Sequence, residues 1–428
     1  MKHAIGAVFG LVVFASPALG DPESESFLQD RIAALDSDPD WTATAGAIAS
    51  EGRATIVREL AIGIPSPQAT LAAGEIRIDD LAPAEDDSFS FAGGAISDLR
   101  IESPFLSLVV PNTKPDQPNE RLAIGALDVG GVEFFDPARF AALSKVGTDA
   151  DPATRDAAMR EAMRAMPKLG QFTLRNLTLG NAEPLKLESL SLEVEEYLGP
   201  VPLPWKAEMT NLALPGLYLR SALRRVEPRV AQVLRLFDDK IFTIDATGGE
   251  VWENPDAGEV RASARITIND GANIELTYSY SGVTEDWLAS TLSETLIGDL
   301  EKGLNSFESG VKLKALTLRI SDRSLLDELF GAVAAELRLG VDGAAYRQQI
   351  SSLALPLFML ALGRPELVDM LLQPLQEFLG SGKTLVVQLR PDAPVAAAEI
   401  ADALQGDALE LVALLNLTVS TEDSAALQ

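Results

Sequence analysis

No cysteine occurs in the 428-residue chain, and its one histidine is His3. The first absence rules out disulfides and thiol chemistry. The second leaves the chain beyond residue 20 without imidazole, the usual general base and a frequent zinc ligand. Ser-His-Asp and Cys-His machinery, histidine-held zinc, haem and iron–sulfur sites are therefore excluded there. An enzyme built on this sequence would work with carboxylates, Lys, Tyr, a Ser–Lys pair or a carboxylate-held hard cation. Basic residues are also scarce: 35 Lys and Arg stand against 63 Asp and Glu, a net charge of −28. Such a surface repels polyanions at long range, which argues against nucleic acid as a partner. No cofactor and no metal are expected, and the protein is expected not to be an enzyme.

Long apolar runs are missing as well. Residues 1–20 have a basic start (Lys2, His3), an apolar stretch from Ala4 to Ala15 and small residues at Ala18-Leu19-Gly20, which reads as a signal peptide. That stretch is too short for a spanning helix, and Leu353 to Leu362 is also short and contains Pro356. No transmembrane span is expected after signal removal, and the localisation read from this is periplasmic or secreted.

What is present is a core-forming composition, 47% apolar, and one recurring phrase. Phe172-x-Leu174-x-x-Leu177-x-Leu179 returns as Leu185-x-Leu187-x-x-Leu190-x-Leu192. Related forms are Ile76-x-Ile78-x-x-Leu81, Ile96-x-x-Leu99-x-Ile101, Leu313-x-x-Leu316-x-Leu318-x-Ile320 and Met209-x-x-Leu212-x-Leu214-x-x-Leu217-x-Leu219. Steps of two keep side chains on one face of a strand, and a step of three needs a bulge or a bend. The thirteen-residue offset between the two full copies suits strand plus turn, and is too short for a leucine-rich repeat. Asn269-Asp270-Gly271 between alternating runs is a hairpin signal.

The expected fold is α+β: an extended, twisted antiparallel β-sheet, a meander with bulges, packed by amphipathic helices. Residues 21–320 form a β-rich region with helical insertions at about 151–166, 218–237 and 284–307. Residues 321–428 form a helix-rich C-terminal region with two returning strands, Thr384–Leu389 and Leu415–Ser420.

Three motifs invite a chemical reading, and each has a plainer one. Gly380-Ser381-Gly382-Lys383-Thr384 resembles the end of a phosphate loop, but Glu377 stands where the pattern needs glycine. The order is also helix then strand, so the glycines read as a helix terminator. Ser309-x-x-Lys312 has the spacing of a Ser–Lys hydrolase pair without the partner motifs. Asp36-x-Asp38-x-Asp40 starts like a calcium loop, but Trp41 and Ala47 occupy positions that need Gly and Glu.

Two surfaces remain as candidate sites. One is the apolar face of Phe172, Leu174, Leu177, Leu179, Leu185, Leu187, Leu190 and Leu192, fitted to lipid or another apolar ligand. The other is a basic amphipathic helix carrying Arg220, Arg224, Arg225 and Arg229, fitted to lie on a membrane or to engage an acidic partner such as an envelope protein, or else packed on the sheet with its arginines paired locally. The strand texture of about residues 45–320, with the export signal and the helical C-terminal part, resembles AsmA-like and related uncharacterised β-rich periplasmic proteins of Gram-negative bacteria. The resemblance implies a curved sheet whose apolar face handles lipid or supports envelope assembly. The alternatives to a non-catalytic apolar binding protein are a structural or adaptor protein and, third, a carboxylate-based hydrolase.

Overall fold

The computed structural model describes residues 22–64, 69–83, 89–103, 106, 120–133, 140, 146, 150–181, 183–224, 235–268, 271–296, 310–362, 365–406 and 408–423. Residues 1–20, Arg225, Arg229 and Ser309 lie outside them. The chain is α+β with antiparallel sheet throughout, and it divides into two compact units: residues 1–145, 161–231 and 238–241 form the first, and 146–160, 232–237 and 242–428 the second.

In the first unit, helix α1 (Pro22–Ser37) precedes β1 (Thr42–Thr44), β2 (Ala47–Glu51), β3 (Ala54–Ile64), β4 (Ala69–Asp79), β5 (Gly93–Ser103), β6 (Glu120–Glu133), β7 (Lys168–Leu179), β8 (Leu185–Val194) and β9 (Trp205–Pro215). From β3 to β9 each strand pairs antiparallel with the next, a simple meander. Leu28 and Ile32 of α1 enter the core against Val57, Leu60, Ile62 and Leu71. Ser24 ties the helix start to the Leu81 carbonyl at 2.8 Å.

On four strands of the first unit the step of three has one physical cause, repeated. Glu59, Asp98, Asn176 and Asn211, on β3, β5, β7 and β9, are all left-handed, with φ between 52° and 56°. The register sets Gly74, Gly125 and Glu188 of the intervening strands opposite them. Pairing stays one residue to one residue across this line, so no strand gains a residue. The left-handed residues recur at this one level on alternate strands, β3, β5, β7 and β9. Apolar residues on either side of the line thereby stay on one face. This crease is the bend that the spacing predicts, held in common by seven strands.

The second unit contains β10 (Ile241–Asn254), β11 (Glu259–Ile268), β12 (Ala272–Ser281), helix α2 (Glu285–Leu296), β13 (Lys312–Asp322), α3 (Leu325–Glu336), α4 (Gly343–Leu362), α5 (Pro365–Ser381), β14 (Thr384–Leu389), α6 (Ala397–Gln405), α7 (Ala408–Leu415) and β15 (Leu417–Glu422). β11 and β12 pair antiparallel with Ile268 opposite Ala272, while Asn269 and Asp270 of the expected hairpin turn lie outside the described residues. β13 carries a bulge at Lys314, where the β12 register steps from Ala315 to Leu313. β14 pairs with β13 and β15 with β14, so the two returning strands complete this unit's sheet.

Arg347 of α4 fastens the helices to the sheet. It donates to Asp322 at the end of β13 (2.8 Å), to Asp327 of α3 (3.1 Å) and to the Phe378 carbonyl of α5 (2.9 Å). Asp322 in turn accepts the Leu326 N–H at 2.9 Å, near the start of α3.

Two expectations need correction. Leu217 and Leu219 do not continue the strand phrase of Met209: β9 ends at Pro215, and Gly216–Arg224 is helical. The last strand begins at Leu417 rather than Leu415, after α7. Ala408-Leu-Glu-Leu-Val-Ala-Leu-Leu415 is an apolar helix whose run is too uniform to show a period.

Candidate functional site

The apolar face of the first unit is laid out in rows that cross the strands. On one side of the crease, Val57, Ile76, Ile96, Leu127, Leu174, Leu190 and Met209 pair in unbroken succession from β3 to β9. On the other side, Leu99, Ile124, Leu177, Leu187 and Leu212 do the same from β5 to β9. Adjacent strands lie about 4.8 Å apart, so the longer row spans roughly 29 Å.

Burial along these rows is uneven. On β3, beneath α1, Val57, Leu60 and Ile62 are all buried. From β5 to β8 only one residue of the phrase per strand is buried: Leu99, Ile124, Leu174 and Leu187. Their neighbours Ile96, Leu127, Phe172, Leu177, Leu190 and Leu192 are half-buried, as are Met209 and Leu212 on β9. Cover thus thins with distance from α1.

The structure brings all eight residues of the sequence-derived face together. Phe172 faces Leu192, Leu174 faces Leu190, Leu177 faces Leu187 and Leu179 faces Leu185. One end of this block is closed: Leu217 and Tyr218 of the Gly216–Arg224 helix pack on Leu179, Leu185 and Leu214, and the Tyr218 hydroxyl donates to the Leu179 carbonyl at 3.2 Å. At the start of β7, the Tyr197 hydroxyl both accepts the Leu169 N–H and donates to its carbonyl, each at 2.9 Å. Between these closures lies a strip of β6–β9 formed by Leu127, Val129, Phe172, Leu190, Leu192 and Met209, with no ionisable group in its rows.

Of the second sequence-derived site, Arg220 and Arg224 are described. Arg220 forms an ion pair with Asp238 at 2.8 Å within the same unit. Arg224 closes the described part of its helix, and Arg225 and Arg229 fall outside the described residues. The short motifs resolve into local structure. Asp36 accepts the Ala43 N–H (3.1 Å) and Asp38 the Asp40 N–H (2.9 Å), so two of these three carboxylates serve the turn after α1. Gly382 adopts φ +67° after α5, as a helix terminator does. Glu377 accepts from Lys383 (2.8 Å), Thr421 (2.5 Å) and Gln373 (3.0 Å), and these bonds, led by that of Lys383, hold its carboxyl at about 2. Among the described residues, no group of three or more His, Cys, Asp or Glu is placed to hold a metal ion. No helix among them is long and apolar enough to cross a membrane.

Sequence reasoning missed the gradient of cover. Which strands α1 shields depends on long-range packing. A family model described as "Uncharacterized protein" matches residues 265–422, inside the second unit. No curated protein matches the sequence.

Proposed function

We propose that the protein is a non-catalytic, exported envelope protein that binds a lipid or other apolar ligand on the β6–β9 strip of its first unit. The observation that carries this reading is the graded cover. A sheet face must be layered over or must take something apolar, and here the rows run unbroken from a shielded region into a half-buried one. The basic–apolar–small order of residues 1–20 supports an exported address, and the resemblance of the strand texture to AsmA-like proteins suggests a role in handling envelope lipid. The acidic surface favours ligands whose headgroups are neutral or cationic over strongly anionic ones.

The test is organic extraction of the purified full chain followed by mass spectrometry, alongside Leu190→Arg. Wild-type protein is expected to yield stoichiometric lipid, and Leu190→Arg to yield little while retaining its circular dichroism spectrum. Lipid-free wild-type protein that also ignores added acyl probes would overturn the reading.

A further inference from the structure

The last strand of the second unit's sheet has an open side. Among the described strands, β15 pairs with β14 along one side and with no strand along the other. Such an edge presents backbone N–H and C=O groups in a row, and folds guard it with Lys, Pro or a bulge. Leu417-Thr-Val-Ser-Thr-Glu422 contains neither Lys nor Pro, and its register with β14 is unbroken from end to end. Helix α5 meets β15 through a side chain, the Thr421 hydroxyl donating to Glu377 at 2.5 Å. That contact uses the face of the strand rather than its backbone.

Register carries the apolar rows of the sheet out to this edge. Leu276, Leu318, Val387 and Val419 stand in one line, and Leu316, Leu389 and Leu417 in the next. All of these are half-buried, whereas Thr418, Ser420 and Glu422 on the opposite face are exposed. A strand that extends this sheet must therefore match an apolar face, a polar face and the charge at Glu422.

A second β15 meets all three demands. A two-fold axis perpendicular to the sheet runs the two strands antiparallel and keeps like face with like face. Centred on Val419, it sets Val419 opposite its own counterpart, Leu417 opposite Thr421, Thr418 opposite Ser420 and Glu422 opposite Asn416. One step beyond the Leu389–Leu417 pair, the register aligns Asn416 with Arg390, an exposed residue at the end of β14. Glu422 of each copy then shares a row on the polar face with Arg390 of the other, and opposite charges in such rows stabilise pairing. Within its own copy Glu422 also meets Arg319, at 3.4 Å. An axis through Thr418 or Ser420 takes Glu422 out of the Arg390 row. We infer that two copies of the protein pair antiparallel through β15, about a two-fold axis at Val419, so that their second-unit sheets become one.

The experiment is analytical ultracentrifugation of the full-length protein, which should show a monomer–dimer equilibrium with a Kd of the order of 10 μM, as suits a small interface. Arg390→Glu and Glu422→Arg each place like charges in the shared row twice, and each should weaken the dimer roughly tenfold. An equimolar mixture of these two variants restores opposite charges in both rows of the mixed dimer, and should associate about as tightly as wild type. Misfolding of either variant would not be rescued by mixing, and circular dichroism checks each one alone. The absence of cysteine from the chain provides a second readout. Facing residues of antiparallel strands lie about 4.5–5.5 Å apart, within disulfide reach. On oxidation Val419→Cys should give a disulfide-linked dimer, and Leu417→Cys, whose counterpart lies four residues along the facing strand, should not. Monomer at concentrations about twentyfold above that Kd, no recovery on mixing, or equal cross-linking of the two cysteine variants would each overturn the inference.

Discussion

Asn176 lies directly over Gly125: a Cβ placed on that glycine would stand 2.9 Å from the Asn176 Cβ. The contact belongs to the crease, where a left-handed residue on β7 meets its partner on β6. Because the obstructing atom is fixed to the backbone, it cannot swing away. Gly125→Ala is expected to destabilise the fold by about 1–3 kcal/mol in urea denaturation. At Asn176 the conformation itself is the demand. Asn176→Gly should be close to neutral, whereas Asn176→Val forces a β-branched residue to φ 56° and should cost about 1–2 kcal/mol or more. Equal stability of the two Asn176 variants would refute the strain argument.

Leu174 and Leu190 are cross-strand partners with different surroundings, the first buried and the second half-buried. In ligand-free protein Leu174→Ala should cost about 2–5 kcal/mol, and Leu190→Ala clearly less. For retention of an acyl probe the order should reverse, with Leu190→Ala the more damaging relative to its stability loss. A thermal melt with and without probe measures both quantities on one sample.

Arg347 predicts the cost of unpairing a buried charge. Arg347→Met leaves Asp322, Asp327 and the Phe378 carbonyl without their common donor. A loss of about 3–5 kcal/mol is expected. The double variant Arg347→Met with Asp322→Asn should recover part of it, since the uncompensated carboxylate is then gone. Denaturation midpoints of the two variants at pH 7 decide the point.

Glu377 makes a prediction about acid. Its carboxyl is held at about 2, below the usual 4.5, by hydrogen bonds from Lys383, Thr421 and Gln373. A depressed folded-state value means that the ionised form is favoured by folding. The resulting stability is present above the ordinary value and is lost as pH falls from about 4.5 toward 2. Glu377→Gln should therefore show a shallower loss of stability than wild type over that interval, and little difference in slope between pH 6 and 8. Urea midpoints taken at half-unit steps give the comparison.

The eight residues from Phe172 to Leu192 could be placed on one face from spacing alone, because the period of two is a local property of a strand. The location of a bend between Leu174 and Leu177 followed from the same spacing. What the bend consists of did not, since Glu, Asp and Asn at the left-handed positions share no residue type. Their common property is position in a register that only pairing reveals. Leu217 and Leu219 were misread because helix and strand both accommodate a two-residue step over so short a run, and Pro215-Gly216 sets the boundary.

The crease also bears on how the chain finds its own alignment. In an ordinary meander, sliding one strand by two residues keeps every side chain on its proper face, so hydrophobic pattern alone leaves such shifted states close in energy. Here a two-residue slide would bring Asn176 out of line with Gly125 and Glu188, and would set a segment of one strand facing inward against a segment of its neighbour facing outward. The line from Glu59 to Asn211 acts as a notch cut at the same height in every slat, so that seven similar strands have one way to stack.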